Sequence, residues 1–157
     1  MADSRRLQIL DAVETRLASA SVTVNGTART KPAGLAVHRF RLRPIAGESL
    51  PAMVVYIQAD PDPERRATGT LDRTMRVAVE SLVKVTAGTP PDDAVDPLII
   101  WAVLALLSEE TLGGLARQIT ERGTVWAPEE GEQSFMRAMT VFDIQYLTRD
   151  NDPEAAP

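Results

Sequence analysis

Side chains that commonly carry chemistry are few in this sequence. The 157 residues include one histidine, His38, and no cysteine. The chain therefore has no cysteine nucleophile, no thiolate metal site and no disulfide framework. His38 stands in a stretch where apolar and charged residues alternate, which is typical of a strand whose side chains point to opposite faces of a sheet. We interpret His38 as a structural residue of a sheet.

The acidic residues come in pairs, and none of the pairs has the spacing of a metal-binding or catalytic motif. Their predicted positions, in loops or at a helix end, favour solvated side chains: Asp92-Asp93, Glu109-Glu110 and Glu129-Glu130. The sequence also contains no nucleophile elbow, no zinc-binding helix motif and no phosphate-binding loop. It therefore predicts no catalytic residue, no cofactor and no metal ion.

Arginines form the most informative polar pattern. Arg39, Arg41 and Arg43 lie on one face of a strand predicted over residues 35–43. Like charges on one strand face repel one another unless they are solvated or paired. The row therefore belongs either to an exposed edge strand that resists pairing or to an electrostatic contact with an acidic partner surface or nucleic acid.

Arg65 and Arg66, in a polar loop predicted over residues 60–69, present the same two alternatives. We take them, together with the three arginines of the strand, as candidate interface residues. The net charge of −5 argues against nonspecific binding to DNA as the main function.

An apolar stretch at residues 96–110 organises the rest of the chain. Leu98 to Leu107 is ten apolar residues without a break, and a helix that is apolar all round must be covered on all sides. Asp96 suits the N-cap and Pro97 the first turn, while Gly113 or Gly114 suits a left-handed stop. Because a membrane span needs about 20 residues, we predict a helix buried at the centre of a globular domain.

Hydrophobic periodicity predicts the remaining elements. Apolar residues at three- and four-residue steps predict a helix over 4–20, capped by Asp3 or Ser4. Residues 25–34 are a predicted loop because of their glycine and proline content. Alternation, or continuous apolar character, predicts strands over 22–24, 35–43, 53–58, 71–86, around Gly123 and over 134–148.

The order of these elements predicts the fold class. Helix, strands, helix, strands is typical of an α+β fold, in which a mostly antiparallel or mixed β-sheet packs against two main α-helices. We predict a single domain over residues 1–148 and a disordered acidic tail over 149–157. The predicted core includes four large side chains: Trp101, Leu104, Phe142 and Tyr146.

The C-terminal half resembles a known family. Four segments carry the resemblance and follow one another in this order: D-P-L-I-I-W-A-V-L-A-L-L, T-L-G-G-L-A-R-Q-I-T, G-T-V-W-A-P-E-E-G and F-M-R-A-M-T-V-F-D-I-Q-Y-L-T-R. This order resembles that of the tail terminator family of long-tailed bacteriophages, also called minor tail protein U-like. It consists of an apolar helix that ends near T-L-G-G, then an irregular strand, then a closing strand. The resemblance extends over residues 4–148 and is most specific over 96–148.

The resemblance implies a non-enzymatic hexameric ring that caps the head-proximal end of the tail tube. Such a ring stops tube polymerisation and contacts the connector of the head, while DNA passes through it without specific binding. The implied location is the tail of the virion, after assembly in the host cytoplasm, with no membrane partner. Tight phosphate contacts would stall DNA in a channel, so we expect the arginines to contact a neighbouring subunit or the tube.

Two alternatives stay open at this point. The chain can be another head–tail joining or tail-completion protein, since these also have small α+β folds. A more distant alternative is a small-molecule-binding α+β domain, against which the scarcity of histidine, cysteine and motif carboxylates argues.

Overall fold

A computed structural model describes residues 4–40, 50–61, 63–129, 134–150, 152 and 154. These residues confirm the predicted α+β class and include two α-helices, α1 (Arg5–Ala18) and α2 (Pro91–Leu107). The strands are β1 (Ser21–Val24), β2 (Thr27–Thr30), β3 (Ala36–Arg39), β4 (Ala52–Ala59), β5 (Glu64–Arg65), β6 (Thr70–Lys84), β7 (Gln118–Glu129) and β8 (Phe135–Arg149).

The main sheet is mixed and has six strands. Five of them follow the order β3-β4-β6-β8-β7, and β5 pairs with the end of β6 that β4 does not reach. β3 and β4 are parallel, whereas the other pairs in this sheet are antiparallel. The sheet therefore agrees with the mostly antiparallel or mixed sheet predicted from the sequence.

The pair β6 and β8 forms the centre of this sheet. They pair over their whole length without a register shift, from Thr70 opposite Arg149 to Lys84 opposite Phe135. Although β6 is long, no bulge interrupts its pairing with β8. The irregularities lie in its neighbours instead, including one between Glu121 and Gly123 of β7, which confirms the irregularity predicted at Gly123.

Alternate residues of these strands divide the sheet into two faces. On one face, side chains such as Met75, Val77 and Phe142 join both helices in a single hydrophobic core. We call the side turned away from the helices the open face. Met139 and Val141 of β8 point to the open face and are half-buried. Within the described residues, helices cover β8 on one side only, because both pack on the same face of the sheet.

The helix α1 follows the predicted pattern closely. Its N-cap is Ser4, whose hydroxyl oxygen accepts a hydrogen bond from the Leu7 N–H at 3.5 Å. Side chains three and four residues apart, such as Val13 and Leu17, are fully buried, as expected for the apolar stripe of an amphipathic helix. Leu7 lies near the end of the stripe and is 41% exposed.

The helix α2 begins earlier than predicted. Pro91 occupies its first turn, so Asp96 is not the cap and Pro97 lies inside the helix. The additional turn buries Val95 completely. Burial of a valine contributes about 1.5–3 kcal/mol, which helps to offset the hydrogen bond that Pro97 cannot donate.

The same helix also ends before the predicted stop. It ends at Leu107, and the Ser108 N–H donates to the Leu104 carbonyl oxygen at 3.1 Å. Gly113 and Gly114 do adopt left-handed φ values of 69° and 87°, but they do so in the turn that follows. The glycines therefore redirect the chain toward β7 and do not cap the helix.

A hairpin replaces part of the loop predicted over residues 25–34. β1 and β2 pair antiparallel through a two-residue turn at Asn25 and Gly26, whose φ values are 50° and 76°. Asn-Gly between two short β-rich segments is a strong hairpin signal, because both residues tolerate positive φ. All four residues of β2 are exposed, so hydrophobic alternation could not reveal this strand.

Two further boundaries differ from the predictions. The loop predicted over 60–69 contains the short strand β5, which is paired with residues 71 and 72 of β6. At the C-terminus, β8 continues to Arg149, one residue beyond the predicted end of the strand at 148. Pairing with Thr70 holds Arg149 in the sheet. Residues 151, 153 and 155–157 of the predicted tail lie outside the described residues.

The predicted core residues are mostly buried. Trp101, Phe142 and Tyr146 are at most 2% exposed, whereas Leu104 is only half-buried at the margin of the core. Ile100 is 50% exposed, so α2 is not covered on all sides within the described chain. The indole N–H of Trp101 donates to the Leu17 carbonyl oxygen at 2.9 Å and so connects the two helices.

We expect Trp101→Ala to lower the free energy of unfolding by about 3–5 kcal/mol, because it leaves a cavity between both helices and the sheet. Trp101→Phe should cost less, since it keeps an aromatic ring and loses chiefly the hydrogen bond to Leu17. Urea unfolding followed by circular dichroism measures both variants. An unchanged midpoint for Trp101→Ala would contradict the central role of this side chain.

Candidate functional site

The arginine row predicted at an interface is in part tied down within the chain. The guanidinium of Arg39 forms ion pairs with Asp11 and Glu14 of α1, the second at 2.9 Å. Arg39 therefore faces the helix layer, and its charge stabilises the packing of α1 against β3. Arg41 and Arg43 lie outside the described residues, so a contact of the whole row with a partner stays a prediction.

The second pair of predicted arginines also has partners within the chain. Arg65 of β5 pairs with Asp150 at 2.8 Å, and Arg66 pairs with Asp72 of β6. These ion pairs are exposed and contribute little to stability, typically about 0–1 kcal/mol each. Arg65 is still 72% exposed and can exchange its partner at low cost, so its predicted interface role stays a prediction.

The open face carries an apolar strip that crosses several strands of the sheet. Register and alternation place these residues on it: Phe40, Ala52, Val54, Tyr56, Ala78, Leu82, Met139 and Val141. Ala52, Val54 and Ala78 are buried but lie outside the main core, and Phe40 is 63% exposed. Within the described residues, neither helix packs on this strip; Phe40 is its exposed member, and Tyr56, Leu82, Met139 and Val141 are half-buried.

Aromatic side chains form the rim of the strip. The rings of Phe40 and Tyr56 meet edge to face with centroids 5.7 Å apart. The Tyr56 hydroxyl donates to the Glu80 carboxylate at 2.9 Å, and burial together with this carboxylate raises the pKa of Tyr56 to about 12. Tyr56 therefore stays a neutral hydrogen-bond donor at physiological pH, and it fixes the position of Glu80, which stands within the strip between Val54 and Met139.

One buried carboxylate organises the charges on the open face. Asp143, in the middle of β8, is 4% exposed. It accepts hydrogen bonds from Arg76 of β6 at 2.8 and 3.2 Å and from Arg122 of β7 at 2.6 Å. Two guanidinium groups around one carboxylate leave a local excess of positive charge.

Arg122 of this cluster lies at the β7 irregularity. It stands between Glu121 and Gly123, where the register of β7 shifts against β8. Two residues earlier, Thr120 lies opposite Asp143, so alternation already places Arg122 on the open face. The hydrogen bonds from Arg76, followed by the one from Arg122, lower the pKa of Asp143 although burial opposes the shift. Sequence analysis missed this cluster; its one signal was an aspartate inside an apolar strand.

A second surface lies at the edge of the sheet. Val125 and Trp126 of β7 are 62% and 50% exposed, and β7 pairs on one side only within the described residues. Trp126 borders a groove that it shares with Met136 and the N-terminal turns of α2. Sequence analysis placed an irregular strand here but gave no sign that its tryptophan would be at the surface.

The described residues contain no group of three or more histidine, aspartate or glutamate side chains arranged to hold a metal ion. Neither of the two described helices is both long and apolar enough to cross a membrane. Comparison with protein-family models found no matching family, and comparison with curated proteins found no matching protein. Function must therefore be inferred from the residues and surfaces themselves.

The lowered pKa of Asp143 predicts a pH dependence of stability. In the unfolded chain the aspartate carboxylate becomes protonated near pH 4, whereas Asp143 in the folded chain becomes protonated only at lower pH. Stability from this group is therefore complete above pH 4 and is lost as the pH falls through the lower, folded pKa. Asp143→Asn should cost about 1–3 kcal/mol at pH 7 and reduce the loss of stability on acidification.

Urea unfolding at pH 7 and at pH 3 measures this effect. The control is Glu64→Gln, which neutralises an exposed carboxylate of β5. Equal acid sensitivity of Asp143→Asn and the unchanged protein would show that the cluster contributes nothing to the pH dependence.

Proposed function

We propose that this chain is a structural subunit of a bacteriophage tail, which forms a ring at the head-proximal end of the tail tube. In this role the ring stops polymerisation of the tube and offers a surface to the connector of the head. The activity is assembly and not catalysis. The single observation that best supports the proposal is the open face, an apolar strip on a rigid sheet that both helices leave uncovered.

The shape of the open face suits a protein partner. A sheet held by the paired β6 and β8 presents a broad surface and not an enclosed cavity, whereas small ligands bind mainly in clefts that bury most of their surface. Its apolar side chains surround Glu80, which accepts a hydrogen bond from Tyr56, and the Asp143 cluster lies at the margin. Apolar area that contains a few hydrogen-bonded polar groups is usual in protein–protein interfaces.

The charges also support passage of DNA without specific binding. The chain has a net charge of −5, and Arg39, Arg65, Arg66, Arg76 and Arg122 all form ion pairs with carboxylates of the same chain. Guanidinium groups occupied in this way bind phosphate less strongly. A ring that surrounds moving DNA needs such weak contacts, because each phosphate contact adds to the affinity.

The resemblance of residues 96–148 to tail terminators supplies the finer part of the proposal. It names the partners as the tail tube protein and the head connector or head-completion protein, and the location as the virion tail after assembly in the host cytoplasm. The ring number implied by this resemblance is six. The open face is a candidate surface for the tube, because a terminator must match the end of a stack of subunits.

We expect purified protein to bind the growing ends of tubes formed by the tail tube protein of the same phage and to limit their length. Phe40→Glu should reduce this capping by about tenfold or more, because it places a charge in an apolar contact. Tube lengths in negative-stain electron micrographs measure the effect, and gold-labelled protein identifies the end to which it binds.

Leu7→Glu is the matched control. Leu7 is also an exposed apolar residue, at 41% against 63% for Phe40, but it lies on α1, on the other side of the sheet. Thermal melting of both variants excludes unfolding as the cause. Tubes of unchanged length in the presence of wild-type protein would contradict capping, and equal effects of the two variants would contradict a role for the open face.

A further inference from the structure

The outer side of β7 is a free strand edge over the residues between its bulge at Gly123 and Pro128. No strand pairs with it within the described residues, and residues 124–127 carry no charge, while Val125 and Trp126 are exposed. Proteins usually protect sheet edges with charges, prolines or a covering element, because unpaired N–H and C=O groups recruit another strand. The opposite edge, β3, is shorter, and α1 contacts it. Arg39 of β3 forms an ion pair with Glu14 of α1. β7 is therefore the edge best suited to accept a strand.

The groove beside β7 carries negative charge. It is lined by Trp126 and Met136 on the sheet and by Asp92, Asp93, Asp96 and Pro97 on α2. None of the three aspartates forms an ion pair within the described part of the chain. Pro97 also has no N–H to donate to the carbonyl oxygen four residues before it. The groove thus offers acceptors and an aromatic face, a combination that fits an arginine.

The same chain carries an element that complements this edge. β2 pairs with β1 on one side only and is exposed at all four positions. Its sequence, T-A-R-T, includes two β-branched threonines, which favour strand pairing. Arg29 in β2 has no ion pair among the described residues. The hairpin does not border the groove of its own chain, so the two surfaces are available to different copies.

We propose that β2 of one copy pairs with the free edge of β7 of the next copy and places Arg29 at Trp126, beside the aspartates of the groove. Backbone hydrogen bonds between the strands supply the general affinity, and the arginine sets the register. The contact joins two different surfaces and is therefore head-to-tail, the type that closes into a ring. It rests on the ring proposed above and specifies the contact between its subunits.

Cysteine cross-linking tests the contact, because the natural chain contains no cysteine. Ala28→Cys in β2 and Val125→Cys in β7 are introduced separately, mixed and joined with a short bis-maleimide. We expect a covalent dimer from the mixture and a ladder of oligomers from the double variant. Ala67→Cys, at another exposed alanine, replaces Ala28→Cys as the control and should give neither product.

Charge exchange provides an independent test. Arg29→Glu and Asp96→Lys should each weaken self-association by about tenfold, and the combined variant should recover most of that loss because the ion pair is restored in reverse. Lys84→Glu makes the same charge change at an exposed position outside the hairpin and should have no effect. Sedimentation velocity at low and moderate salt measures association, and thermal melting verifies folding.

The outcomes separate this contact from the proposed function. Absence of the cross-linked dimer, or failure of the combined variant to recover, overturns the strand contact; if wild-type protein still caps tubes, the proposed function survives. Cross-linked rings that do not limit tube growth establish the contact and contradict capping. If a basic peptide of the tail tube protein, and not a second copy, protects Trp126 fluorescence from quenching, the groove belongs to that partner and the proposal is wrong.

Discussion

The unbroken pairing of β6 with β8 is the constraint on which the rest of the structure depends. The two strands pair over 15 residues each, and the strict alternation of a strand then decides which side chains share a face. A shift of one residue would move Met75, Val77 and Phe142 out of the core and the charged Arg76 and Asp143 into it. Both helices, the open face and the Asp143 cluster are therefore consequences of one register.

Several ion pairs attach peripheral elements to this sheet. Arg39 connects α1 to the edge strand β3, and Arg65 connects β5 to the residue that follows β8. Asp143 joins three neighbouring strands through Arg76 and Arg122. Asp143 is buried, whereas its two guanidinium partners stay about half exposed. These ion pairs connect strands and helices within the chain.

What remains available to a partner is apolar surface and backbone. Both helices pack on one face of the sheet, so the other face keeps a strip of half-buried apolar side chains. The free edge of β7 adds unpaired backbone groups and the exposed Trp126. Such features are a hazard for a protein that stays alone, since they promote association. They are suited to a subunit of an ordered assembly, in which neighbouring copies or partners cover them.

The sequence by itself determined the elements whose patterns are local. Three- and four-residue spacing revealed α1, continuous apolar character revealed α2, and alternation revealed β6 and β8 to within a few residues. The α+β class followed from their order, and the burial of Trp101 from its place in the apolar helix.

Only the tertiary structure decided how these patterns meet. Arg39 was predicted at an interface with a partner, yet it faces α1, because a single strand pattern cannot say which face the helices cover. The exposure of Trp126 and the convergence of Arg76 and Arg122 on Asp143 depend on strand pairings between residues distant in the chain. Local sequence carries no record of such long-range register, so these features emerge only once the sheet is assembled.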